Sequence, residues 1–189
     1  PIIETQAGDI SAYIPTNVIS ITDGQLFLQS ELFNAGARPA VDAGLSVSRV
    51  GSAAQTKAIK QVSSSLKLEL AQYRELLSFA QFGSDLDAST KSVIEHGARL
   101  SELLKQGQYM PLSLAQEVVV LFSAKHRFIK EIPVELILPY QETLIRSFEN
   151  EYPDLLKEIE TKKVISPELE EKLHEALGKI TQHFLKMRA

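Results

Sequence analysis

The chain has 189 residues, 44% of them apolar, so it can bury a sizeable core and is not composed like a disordered polypeptide. A formal net charge of -4 excludes the basic excess of general nucleic-acid or anionic-membrane binders. Zero cysteines exclude disulfides and thiolate metal sites, and no apolar run approaches the roughly 20 residues that a membrane-spanning helix needs.

The chain opens PIIETQAGDISAYIPTN, with no methionine, which predicts a piece of a longer protein. Residues 1–52 carry short β-favouring clusters: Ile10 to Ile14, Val18 to Ile21, Gln25 to Leu28 and Leu45 to Val50. Each is bounded by Gly, Pro, Asp or Asn, so the reading is strands and turns. Asp23-Gly24 is a turn signal, and Ser30 to Asn34 reads as a short helical turn closed by Gly36.

The character changes near Ala53. Thr56 to Gln81 places Ile59, Val62, Leu66, Leu70, Tyr73, Leu77 and Ala80 at helical spacings, predicting one helix. Lys60, Lys67 and Arg74 lie seven apart, and this stripe reads as a solvated face. Gly83 ends the helix, and Ser84 or Asp87 caps the next, which runs near Asp87 to Lys105. Ser113 and Gln116 predict a capping box before the run VVVLF, which is apolar enough to be buried on all sides. Pro133 and Pro139 blur the helix boundaries between 134 and 152. The last helix is marked by Ser166 as cap, Pro167 in the first turn, and then Leu169, Leu173, Leu177, Ile180 and Phe184. The sum predicts a mainly α chain: residues 1–55 as the last few strands of an α/β domain, residues 56–189 as an antiparallel bundle of five to seven helices.

Catalytic machinery is sparse. His96, His126, His174 and His183 make no HExxH or other tight ligand spacing, so they read as surface or satisfied histidines and no metal site is predicted. Asp85 and Asp87 sit at a helix start, where carboxylates favour the dipole. Neither a GxSxG elbow nor a GxxxxGK(S/T) phosphate loop occurs. What remains is GLSVSRVGS, Gly44 to Ser52. Arg49 presents a planar five-donor fork among small residues, and such a fork calls for a planar anion. By spacing alone the anion is a carboxylate in a structural ion pair.

The residues leading into Arg49 carry a resemblance. Pro39-Ala40-Val41-Asp42, three further residues and then Ser46-Val47-Ser48 match the signature of rotary ATPase α and β subunits. The ending Arg49-Val50-Gly51-Ser52-Ala53-Ala54-Gln55 resembles the α branch of the F-type ATP synthase family. IPTNVISITDGQ (Ile14 to Gln25), KLELAQYREL (Lys67 to Leu76), FAQFGSDLDAST (Phe79 to Thr90) and LLKQGQY (Leu103 to Tyr109) are similar to the same branch.

The resemblance implies a fold, a role and partners. The first segment becomes the end of a RecA-like nucleotide-binding domain. In the family, α and β subunits alternate in a hexamer around a central γ shaft, and catalysis lies mainly in β. Arg49 matches the arginine that α supplies in trans, flanked by Ser48 and Val47, with Ser20 also approaching the partner's site. Arg38, Pro39, Gln106 and Gln108 match residues near the adenine of a non-catalytic Mg-ATP site in the intact α subunit. No nucleotide is expected to bind this stretch alone, because the phosphate loop lies outside it. Phe82 to Thr90 matches the turn that faces γ. The implied location is the soluble, peripheral part of a proton-translocating complex, on the cytoplasmic face of the bacterial plasma membrane or on an organelle inner membrane. Two alternatives stand beside this reading: a subunit of a related rotary or secretion hexameric ATPase, and a stand-alone helical interaction module.

Overall fold

The computed structural model describes residues 1–80 and 86–188. They fall into two compact units, Pro1–Gln55 and Thr56–Ala189. The first contains α1 (Tyr13–Ile21), β1 (Gly24–Gln25), α2 (Ser30–Asn34) and β2 (Val47–Ser48).

Helix α1 corrects the reading of Ile10 to Ile14 and Val18 to Ile21 as strands. Ile14, Val18 and Ile21 recur four and three apart, a helical period. Pro15 falls in the first turn, where its missing N–H would have had no helical partner. The other two β-favouring runs contribute only the two-residue strands β1 and β2, paired antiparallel with Gly24 opposite Ser48 and Gln25 opposite Val47. A Cβ on Gly24 would stand 2.4 Å from the Val47 carbonyl oxygen, and its φ is +147°, so glycine is required at this crossing. Leu28 and Val41 add one isolated bridge. Among the described residues this unit buries only Pro15 and Ala40. Ile14, Ile21, Leu26, Leu28 and Phe33 are exposed.

The second unit holds the core. It comprises α3 (Lys57–Ser63), α4 (Leu66–Ala80), α5 (Ala88–Leu103), α6 (Leu114–Lys125), α7 (Ile137–Glu151), α8 (Pro153–Lys162) and α9 (Pro167–Arg188). The single helix predicted from Thr56 to Gln81 is two, parted at Ser64-Ser65. Three successive serines, Ser63 to Ser65, offer the backbone competing hydroxyl partners, and such residues favour helix ends over interiors. The predicted stop at Gly83 and cap at Ser84 lie outside the described residues. Asp87 does cap α5, accepting from the Thr90 amide at 2.6 Å. Pro133 precedes a 3-10 turn at Val134–Leu136, and Pro139 is accommodated in the first turn of α7.

Helix α6 runs through the middle of the bundle. Its capping box forms as read from the sequence, with Ser113 and Gln116 bonding reciprocally. Val118, Val119, Val120 and Phe122 are all buried. Helix α3 and helix α8 pack on α6, α4 on α5, and α7 on α9. At the α4–α5 crossing, a Cβ on Gly97 would stand 2.3 Å from Cγ of Tyr73, so the two helices meet through a missing side chain. Of the stripe read as a solvated face, Lys60 and Lys67 are exposed, whereas Arg74 is half-buried.

One polar pair lies inside the α7–α9 contact. The Tyr140 hydroxyl is 2.9 Å from Thr181 Oγ1, and burial pushes the phenol up to about 12. Tyr140→Phe removes one partner and leaves the buried Thr181 hydroxyl without it. This lowers unfolding stability by about 1 kcal/mol. The check is a urea melt in which the midpoint falls while the slope stays constant.

Candidate interface site around Arg49

Arg49 directly follows β2. Its backbone amide donates to the Asp23 carbonyl at 2.8 Å, tying the strand end to the turn before β1. On the other side the Gly51 amide donates to Ser48 Oγ at 3.0 Å. Gly51 sits at φ +56°, a left-handed conformation that a side chain disfavours. These two anchors fix the backbone at Arg49 while its side chain stays exposed.

Among the described residues, Arg49 makes no ion pair and no side-chain hydrogen bond. The structural ion pair that spacing alone suggests is therefore absent from these residues. A guanidinium held this way keeps its whole donor fork for an external planar anion. Val47 is 50% exposed beside it, so the rim is apolar on one side. Ser20, on α1, is exposed and donates to the Asn17 carbonyl at 2.7 Å. No hydrogen bond joins it to the Arg49 side chain.

The adenine-side residues are differently engaged. Arg38 donates from one guanidinium nitrogen to the Phe33 carbonyl at 2.6 Å and the Ala37 carbonyl at 2.8 Å. Its carbon lies 3.6 Å over the Phe33 ring centroid. Part of its fork is thus spent on the carboxyl end of α2, where cations are favoured. Pro39 is exposed. In the second unit, the Gln106 amide donates to the Met110 carbonyl at 2.7 Å and closes its own loop, whereas Gln108 is exposed. Of the turn predicted to face a shaft, Phe82 to Asp85 lie outside the described residues. Next to it, hydrogen bonds from the Thr90 backbone and the Ser89 and Thr90 side chains hold the Asp87 carboxyl below its ordinary range.

Two histidine constellations were not legible in the sequence. His96 of α5 meets Glu69 of α4 at 2.9 Å, and His96 is buried. His126, Glu170 and His174 also converge, each offering one donor atom within 4.8 Å of the others. Two of the three residues of that second group had a signal, because Glu170 and His174 are four apart on one helix. His126 comes from a distant helix and could not be placed.

The His96–Glu69 pair, with His96 buried and Glu69 half-buried, gives the bundle a pH dependence. Burial, reinforced by the Arg127 cation, pulls His96 below its ordinary value against the attraction of Glu69. Burial opposes ionisation of Glu69, but hydrogen bonds from Ser65 and His96 hold its carboxyl below the ordinary value. Both groups bind fewer protons folded than unfolded in acid, so stability rises with pH there. The His96 contribution is present above about 6.5 and lost as pH falls from there through its lower folded value. The Glu69 contribution disappears below about 4.3 in the same way. Urea midpoints measured from about pH 7 down to about pH 4 should fall steadily, and His96→Gln should flatten the upper part of that fall.

Comparison with known proteins defines the class. A family model for the ATP synthase alpha/beta chain, C terminal domain, matches residues 55–180. A model for the ATP synthase alpha/beta family, nucleotide-binding domain, matches residues 1–48. The chain belongs to the ATP synthase alpha/beta family. Within that family the similarity is to a C-terminal portion of ATP synthase subunit alpha. The subunit alpha of Lawsonia intracellularis is 56% identical over 99% of this chain and 37% of its own length. That of Rickettsia bellii is 56% identical over 99% of this chain and 36% of its own length. That of Aquifex aeolicus is 54% identical over 98% of this chain and 37% of its own length. The chain thus spans a little over a third of the length of these relatives. The matches favour neither of the two alternatives raised from the sequence.

Proposed function

We propose that the chain acts as part of the regulatory, non-catalytic alpha subunit of a proton-translocating F-type ATP synthase, presenting Arg49 to the catalytic site of a neighbouring beta subunit. The observation that carries this reading is the exposed guanidinium, unpaired among the described residues, on a backbone tied at both sides. A positive fork near the γ-phosphate stabilises charge that spreads over the phosphoryl oxygens during transfer. Ser48 contributes by holding the turn, and Val47 by its apolar exposed face. Ser20 lies on the same unit and is proposed as a further partner-facing residue.

In this reading alpha and beta subunits alternate in a hexamer, the segment around Asp87 lies near the γ shaft, and the assembly sits peripherally on a membrane. Supporting this, the relatives are bacterial alpha subunits, and no helix among the described residues is long and apolar enough to cross a membrane. The intact subunit would hold Mg-ATP at a site of its own. Pro39 would offer the adenine an apolar wall, with Arg38 held in place by α2.

The test is the complete subunit carrying Arg49→Ala, assembled with its beta partners. Turnover should collapse while assembly persists. Near-normal ATP turnover overturns the assignment.

A further inference from the structure

The convergence of His126, Glu170 and His174 is independent of Arg49 and of any nucleotide. His126 is the cap residue at the carboxyl end of α6, where helix carbonyls favour positive charge. Glu170 lies in the first turn of α9, and His174 follows one turn later on the same face. His126 Nε2 is 3.8 Å from Glu170 Oε1. Metal–ligand lengths of about 2.0–2.2 Å in a tetrahedron put ligand atoms about 3.4 Å apart. The His126–Glu170 pair is therefore within about 0.4 Å of that edge. The donor atom of His174 lies within 4.8 Å of the other two.

The surroundings favour a metal ligand role. The His126 and His174 rings stand edge to face, centroids 4.4 Å apart and planes at 83°. Phe122 stacks on His126 at 4.0 Å, and Phe128 lies 5.4 Å from His174. These rings fix the imidazole planes and form an apolar wall. Two imidazoles and one carboxylate suit zinc-type ions, whereas magnesium and calcium demand oxygen donors.

We propose that His126, Glu170 and His174 form a three-ligand site for a divalent transition ion of the zinc type, with a fourth position open to water, clasping the end of α6 to the start of α9. Glu170 is 46% exposed, which leaves that position accessible.

The probe is Zn²⁺ alone, titrated into the metal-stripped, tag-free chain in competition with a chromophoric chelator. One saturable Zn²⁺ per chain is expected. His126→Ala, His174→Ala and Glu170→Gln should each weaken it at least about tenfold, since loss of even an outer-shell partner costs about 10- to 100-fold. His183→Ala, exposed on α9 outside the cluster, should leave affinity unchanged. Zn²⁺ should also raise the melting temperature of the unaltered chain and not that of Glu170→Gln, a conservative variant at a partly exposed position. No saturable Zn²⁺ binding, or cluster variants that bind as His183→Ala does, overturns the proposal.

Discussion

With the role proposed for Arg49, Arg49→Ala in the complete subunit assembled with its beta partners should lower the rate of ATP hydrolysis by about 10³- to 10⁵-fold, the range that arginine fingers supply in phosphoryl transfer. That corresponds to about 4–7 kcal/mol of transition-state stabilisation. The effect belongs to turnover more than to substrate binding, because the charge it meets develops during transfer. Arg49→Lys restores charge without the planar fork, and should recover only part of the rate. Folding should barely notice either change, because the side chain is exposed and unpaired among the described residues. Steady-state hydrolysis with a parallel melt of each variant separates the two effects. A variant with wild-type turnover sinks the finger assignment, and a melt that collapses together with activity shows that Arg49 holds the fold instead.

Phe148→Ala makes the opposite pattern. Phe148 is 1% exposed on α7, with the Tyr152 ring 5.5 Å away. Helix α7 packs on α5, α6, α8 and α9, so a hole at Phe148 opens where several helices meet. Truncating a buried phenylalanine costs about 3–5 kcal/mol, from lost transfer energy and the cavity left behind. Domains of this kind hold about 5–15 kcal/mol in all, so this one change removes a large share of the total. The melting midpoint should fall by roughly 10 °C or more. Phe79 is the control: it lies on α4 in the same unit but is 63% exposed, and Phe79→Ala should cost under about 1 kcal/mol. Similar losses for the two variants would show that the core is not centred where the burial places it.

The parts of this chain that were readable from the sequence are those in which a residue acts on its near neighbours. Ser113 and Gln116 bond across three residues, and Ser166 accepts from Leu169 three residues on, so residue type and spacing suffice to place their caps. The run VVVLF reads as buried on all sides, and all of it is buried except Leu121, which is half-buried. The family resemblance was likewise legible, since its motifs are local in spacing, and the family models match residues 1–48 and 55–180 on either side of Arg49.

The misreadings have the same physical origin in reverse. Ile14, Val18 and Ile21 are β-branched, and propensity favoured strands, but the period of the run and the place of Pro15 favoured a helix. The apolar stripe from Ile59 to Ala80 continues across Ser64-Ser65, so periodicity could not show that the helix breaks there. By itself, then, the sequence determined the caps of α6 and α9, most of the apolar faces, the family resemblance and the placing of Arg49 beside small residues. Only the tertiary structure decided that Gly97 lets α5 approach Tyr73, that His96 pairs with Glu69, that Arg49 has no partner among the described residues, and that His126 meets Glu170 and His174. Each of these depends on side chains from segments far apart in the chain. Their meeting is set by how whole helices pack and by where the backbone is tied, and no local spacing encodes that.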